Sequence, residues 1–192
     1  VKEVAQLGAV LGREFAYEVL QAVAPLDERT LQHGLAQLVD AELLYQRGLP
    51  PQVRYLFKHA LIQEAAYQSL LRSTRRQYHQ QIVQVLEATS PETCETHPEL
   101  VAHHYTEAGL HAQAIPYWQQ AGQNTLRHSA HQEAITHLTK GLGLLKLLPD
   151  TLERTKRELL LLTILGPALI AVQGYAAPDV AQIYGRAQEL CR

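Results

Sequence analysis

Apolar residues recur at helical spacing along most of the chain. Behind Pro25 and Asp27, a residue type that caps helix starts, Leu31, Leu35 and Leu38 fall at i, i+4 and i+7 and predict an amphipathic helix over 27–42. The period then shortens to two. Segments 43–47 and 53–57 flank Gly48-Leu49-Pro50-Pro51-Gln52, and Val53, Tyr55 and Phe57 share one face of the second segment, which predicts a hairpin. From Lys58 the spacing is helical again, with Leu61, Ala65, Ala66 and Leu70 expected to face inward, and Tyr78, Ile82, Val85 and Leu86 mark a further helix ending near Ala88.

Short helices followed by a two-stranded wing correspond to a winged-helix arrangement, expected over 1–90. Ser90-Pro91-Glu92-Thr93 opens a stretch, 91–97, that reads as a linker. Five helices are expected beyond it, at 98–109, 111–129, 131–148, 151–172 and 178–191, the last opening on Pro178 at its first position. The turns between them are short enough to make neighbours antiparallel. Ala114-Ile115 with Trp118 is echoed by Ala134-Ile135 with Leu138, an internal repeat offset by 134 − 114 = 20 residues. Small alanines allow close helix approach while the larger side chains fill the gap, as in tetratricopeptide-type (TPR-like) arrays, and 98–192 is therefore expected to be a TPR-like array. Tyr105, Tyr117 and Trp118 sit at helical spacing that suits core positions better than a groove. The fold expected is mainly α: a winged-helix-like N-terminal domain with a small two-stranded wing, then antiparallel TPR-like repeats.

The 192 residues suffice for one or two domains, and 46% apolar against 19% charged residues excludes disorder and low complexity. A net charge of −2 provides no overall basic field for phosphate backbones or acidic membranes. Two distant cysteines, Cys94 and Cys191, suit a reducing, cytoplasmic setting. The longest oily run, 159–172, contains Gly166-Pro167 and reads as a core helix rather than a membrane span. No methionine occurs and the chain opens Val-Lys-Glu-Val, so it reads as an internal piece of a longer protein.

The motifs of phosphate-binding loops, nucleophile elbows and zincins are missing from the sequence, so no catalytic residue is assigned. Cys94, His97 and His103 or His104 offer zinc-compatible donors, but no second C-x-x-C or H-x-x-x-H pair closes the set, and surface histidines explain them better. His128 and His131 straddle a predicted helix junction and receive no role. A winged helix also invites duplex DNA. The candidate recognition helix, 27–40, carries Asp27, Glu28 and Asp40 against Arg29 alone, which would repel a duplex. Arg72, Arg75 and Arg76 form the one local basic cluster, either a solvated helix start or a domain-docking face.

In Tyr55-Leu56-Phe57-Lys58-His59-Ala60-Leu61 a strand delivers a histidine to a helix start. This corner resembles the winged-helix region that follows the nucleotide-binding core of STAND-type signalling ATPases, where a Met-His-Asp motif occupies the strand-to-helix corner. The resemblance implies that His59 would contact the β-phosphate of ADP bound to the neighbouring domain. Ala60 replaces the acidic residue, so no role for a carboxylate carries over. The alternative is that His59 caps or packs the corner. The order of Leu11-Gly-Arg-Glu-Phe15, Leu38-Val-Asp-Ala-Glu-Leu-Leu44, Phe57-Lys-His-Ala-Leu61, Ala102-His-His-Tyr-Thr-Glu-Ala-Gly109 and Ala134-Ile-Thr-His-Leu138 is similar to the segment after the ATPase module in large bacterial signalling proteins. In those proteins the module is linked to adenylate/guanylate cyclase, protein-kinase or LuxR-type output domains.

The resemblance implies a non-catalytic segment that couples nucleotide state to partner binding or output. It would hold no cofactor itself, and the parent would use ATP or ADP with magnesium. Its partners would be the upstream ATPase domain and a protein bound on the repeats, with neither nucleic acid nor membrane. The alternative is a LuxR-type transcription regulator that uses the winged helix on DNA.

Overall fold

A computed structural model of the chain describes residues 1–49 and 52–191, so Pro50 and Pro51 of the expected hairpin loop lie outside the described residues. The protein is mainly helical with one small antiparallel sheet. It divides into two compact units, Val1–Pro91 and Glu92–Arg192.

The first unit contains α1 (Lys2–Leu11), β1 (Glu14–Ala16), α2 (Tyr17–Val23), α3 (Glu28–Asp40), β2 (Leu44–Arg47), β3 (Arg54–Phe57), α4 (Ala60–Gln68) and α5 (Arg72–Thr89). α3 starts as its sequence demands. Asp27 is the N-cap, and its carboxylate accepts hydrogen bonds from Thr30 N at 3.0 Å and Thr30 Oγ1 at 2.7 Å. Leu31, Leu35 and Leu38 are buried, with Leu7, Leu20, Leu44, Phe57 and Ile82 in the same unit's core.

The sheet has three strands, not the expected two, in the order β1-β3-β2. β3 has two edges, and the short segment at Glu14–Ala16 covers the one that a two-stranded wing would leave bare, pairing Phe15 with Tyr55. The apolar gain fixes it there. Phe15 is buried, with its ring 5.9 Å from those of both Tyr55 and Phe57, and it presses on α1 at Gly8, where a Cβ would come within 2.7 Å of the ring. Gly48, at φ +80°, turns the chain out of β2, and a side chain there would also collide with the Gln52 carbonyl oxygen.

α4 departs from its expected orientation. Leu61 was expected inside but is 78% exposed, and no residue of α4 is fully buried. The helix rests on α1 and is held at its edge by Gln63, whose Nε2 donates to Ala9 O at 2.9 Å.

The second unit contains α6 (Pro91–Thr96), which starts at its border, then α7 (Pro98–Ala108), α8 (His111–Arg127), α9 (His131–Leu145), α10 (Leu152–Gln173) and α11 (Pro178–Leu190). The stretch 91–97, read from sequence as a linker, is thus mostly helix. Cys94 is buried on it, and Asn124 Nδ2 of α8 donates to Glu95 O at 3.3 Å, so the segment is packed rather than free. Each of α7 to α11 lies against its sequence neighbour. Ala114, Ile115, Trp118, Ala121, Leu138, Leu145, Leu161 and Leu165 form the continuous core, and Tyr105 and Tyr117 pack on its margin.

The 20-residue repeat is a repeat of turns as well as of side chains. Gly109, at φ +80°, and Ser129, at φ +59°, end α7 and α8 in the left-handed region. In both turns the residue after it donates five residues back, Leu110 N to Tyr105 O at 2.9 Å and Ala130 N to Thr125 O at 3.0 Å. The offset therefore relates adjacent antiparallel helices, one helix and one turn per repeat, rather than helix pairs. Among the described residues no helix is long and apolar enough to cross a membrane.

Candidate functional site

β3 ends at Phe57, which is buried, and the chain leaves the sheet through Lys58 and His59 into α4. His59 is the N-cap of α4, with extended backbone angles of −129° and 137°. Its carbonyl oxygen accepts from Ile62 N at 3.1 Å, whereas its side chain is exposed and forms no cap hydrogen bond. The corner is therefore closed by backbone and by Lys58, which donates to Glu42 across the sheet edge while lying 5.6 Å from the Tyr45 ring centroid. That pairing raises the Lys58 pKa and lowers the Glu42 pKa. The His59 imidazole is not used to hold the corner together.

The three arginines of α5 separate into different environments. Arg75 lies over the Tyr67 ring at 5.0 Å and donates from Nη1 to Gln68 Oε1 at 3.1 Å, so it ties the start of α5 to the end of α4. Arg72 and Arg76 are exposed at the start of the same helix, whose N-terminal dipole adds to their positive potential. Tyr67 Oη of α4 and the buried His79 Nε2 of α5 share a hydrogen bond at 3.1 Å.

The zinc-compatible residues of the second unit point to separate surroundings. Cys94 is buried in α6, and His97 is exposed and donates from Nδ1 to Glu99 Oε1 at 3.3 Å. His103 and His104 are neighbours on α7 with ring centroids 5.5 Å apart, His104 buried and His103 outward. Among the described residues no three His, Cys, Asp or Glu side chains are grouped to hold a metal ion. His128 donates from Nδ1 to Asn124 O at 2.9 Å, closing the end of α8. His131 begins α9.

Two of the clefts on the second unit carry charged side chains. One, of about 680 Å³, lies between α9, α10 and α11 over Leu142, Leu162, Leu165 and Ile183. At its rim Arg186 binds Glu158 at 2.7 Å and Glu189 at 3.3 Å. The other, of about 800 Å³, is formed by α6, α7, the end of α8 and α9, with Glu95, Glu99 and Glu133 on its walls together with Arg127, His128 and His137. His137 stacks on the buried Trp118 with ring centroids 5.4 Å apart, and burial holds its pKa below the ordinary value, reinforced by Lys140 and opposed by Glu99 and Glu133. Trp118 Nε1 donates to Thr106 Oγ1 at 3.0 Å, and Lys140 Nζ lies 4.5 Å from its ring centroid.

The sequence pattern did not single out His137, Glu99 or Glu133. The available signal was the repeat register: His137 is the 20-residue counterpart of Tyr117, which stacks on Tyr105 at 5.7 Å, so an aromatic-like ring was due there.

No protein-family model matches the chain, and no solved structure matches it. It is similar to an uncharacterized protein of Rhizobium meliloti (strain 1021), with 29% identity over all 192 residues. The chain spans 19% of that relative's length.

Proposed function

We propose that the chain is a non-catalytic regulatory segment of a multidomain signalling ATPase. In this reading the first unit is a winged-helix docking domain, with β2 and β3 as wing and β1 closing its edge. The second is a TPR-like array that binds a protein partner. Nucleotide state on the ATPase core would shift the docking of the first unit, and the array would transmit or bias that shift.

The observation that carries the reading is His59. An exposed imidazole at a helix N-cap, free of any capping duty, is available to a phosphate oxygen brought by another domain, beside backbone N–H groups of the helix start. Exposed Leu61 on the same helix and exposed Arg72 and Arg76 on the next supply apolar and cationic surface for docking. A relative more than five times longer suits a segment that works within a large polypeptide.

Duplex DNA is the weaker reading. The outward positions of α3 include Glu28, Arg29, Gln32, His33 and Asp40, with no cationic surplus to displace counterions from phosphates. The test is His59→Ala in the complete polypeptide that carries this segment. Faster ADP release and altered ATP turnover are expected, and unchanged nucleotide kinetics would contradict the sensor role.

A further inference from the structure

The cleft between α9, α10 and α11 joins an apolar floor to two glycines that no neighbour within the chain explains. We infer that it binds an amphipathic α-helix of a partner protein, with a leucine-type face inward and a carboxylate toward Lys146, an inference that rests on reading the second unit as an interaction array.

The floor comes first. α9 and α11 both pack against α10, and the space of about 680 Å³ left between them lies over Leu142, Leu162, Leu165 and Ile183, within the ~300–1,000 Å³ range of binding clefts. Its walls are helices, whose backbone donors and acceptors are already paired along their own axes. An extended peptide laid on this floor would leave backbone N–H and C=O groups over leucine without partners. A helix satisfies its own backbone and needs only an apolar face there.

The glycines are a second and independent observation. Gly122, Gly141 and Gly166 are accounted for within the chain, because a Cβ on each would meet Leu138, Leu161 and Tyr184 respectively. Gly143 in α9 and Gly185 in α11 line the cleft, and a Cβ on either would meet nothing within 4 Å. Glycine inside a helix weakens it relative to alanine, and here no contact within the chain compensates. Bare backbone on both walls allows the close approach of a further helix.

Charge sets the chemistry of the partner. Arg186 is engaged by Glu158 and Glu189 at the α11 side of the cleft. Lys146, exposed at the end of α9, makes no ion pair among the described residues. Its complement is a glutamate or aspartate on the incoming helix, whereas a lysine there would meet a like charge.

The test uses fluorescein-labelled peptides of about 18 residues, alanine-rich so as to be helical, with leucines at i, i+3, i+4 and i+7. The first carries glutamate beside the leucine face, the second lysine in its place, and the third repeats the first with prolines at its centre. Each is titrated with the 192-residue chain while anisotropy is followed. The glutamate peptide should bind about five-fold tighter than the lysine peptide and about ten-fold tighter than the proline-broken one. Gly143→Gln combined with Gly185→Gln places side chains in open space, so the urea midpoint should hold or rise while affinity for the glutamate peptide falls about ten-fold. A role confined to folding would instead lower the midpoint. Lys146→Gln should abolish the preference for glutamate over lysine.

Equal binding of the proline-broken peptide, or an affinity untouched by the glycine substitutions, overturns the helix assignment and leaves the array reading standing. A preference that survives Lys146→Gln overturns the carboxylate assignment. Absence of binding by any peptide overturns the inference, as does self-association of the chain that the glycine substitutions abolish, which would make a second copy the occupant. The array reading is decided separately, by deleting 92–192 from the complete polypeptide.

Discussion

The imidazole of His137 lies nearly parallel to the indole of Trp118, with 22° between the ring planes. Trp118 is the single tryptophan of the chain, so its emission reports on the second unit alone. Burial lowers the folded-state pKa of His137 below 6.5, so the folded unit holds this proton less readily than the unfolded chain does. The stability it supports is complete above the unfolded value and declines as pH falls toward the folded one. Urea midpoints read from Trp118 emission should therefore hold steady above pH 6.5 and drop below it, with a shallower drop in His137→Phe. Equal slopes in the two proteins would remove His137 from the account.

The repeated turn at Gly109 and Ser129 gives a second prediction. Both residues take left-handed angles, which glycine adopts freely and serine does not. Ser129→Gly should stabilise the second unit by about 0.5–1 kcal/mol, and Gly109→Ala should destabilise it by about 1 kcal/mol. Trp118-monitored urea unfolding distinguishes these outcomes from the case in which both changes are neutral.

The repeat also shows what could be read in advance. The 20-residue echo of Ala114-Ile115 in Ala134-Ile135 was legible, because small and large core residues must recur wherever equivalent helices pack. Asp27 and the leucine spacing likewise gave α3 its start and its buried face. β1 could not be recognised, since three residues carry too little alternation, and its pairing is determined by the free edge of β3 in three dimensions. Leu61 was misread for a related reason. Its spacing fits an inward face, yet α1 meets α4 on the side of Gln63, and spacing alone does not say which side is covered. The cleft acids are separated by up to 38 positions, from Glu95 to Glu133, and only the fold assembles them.

Close helix approach in the array depends on Gly122. A Cβ there would lie 2.6 Å from Leu138 Cγ, within the buried seam of α8 and α9. Gly122→Ala should cost about 1–3 kcal/mol by overpacking, and Leu138→Ala about 2–5 kcal/mol by leaving a cavity. Because each change relieves the other, the double variant should lose less than the sum of the two, as a double-mutant cycle measures. Strict additivity would mean that the seam does not close on these two residues.

The central claim is that this chain is a lever and landing surface whose energy source is an ATPase elsewhere in the polypeptide. The most direct measurement is steady-state ATP hydrolysis by the complete polypeptide before and after deletion of residues 92–192. The account predicts measurable turnover that changes several-fold when the array is removed. A complete polypeptide that hydrolyses no ATP, or one whose rate ignores the deletion, would contradict it.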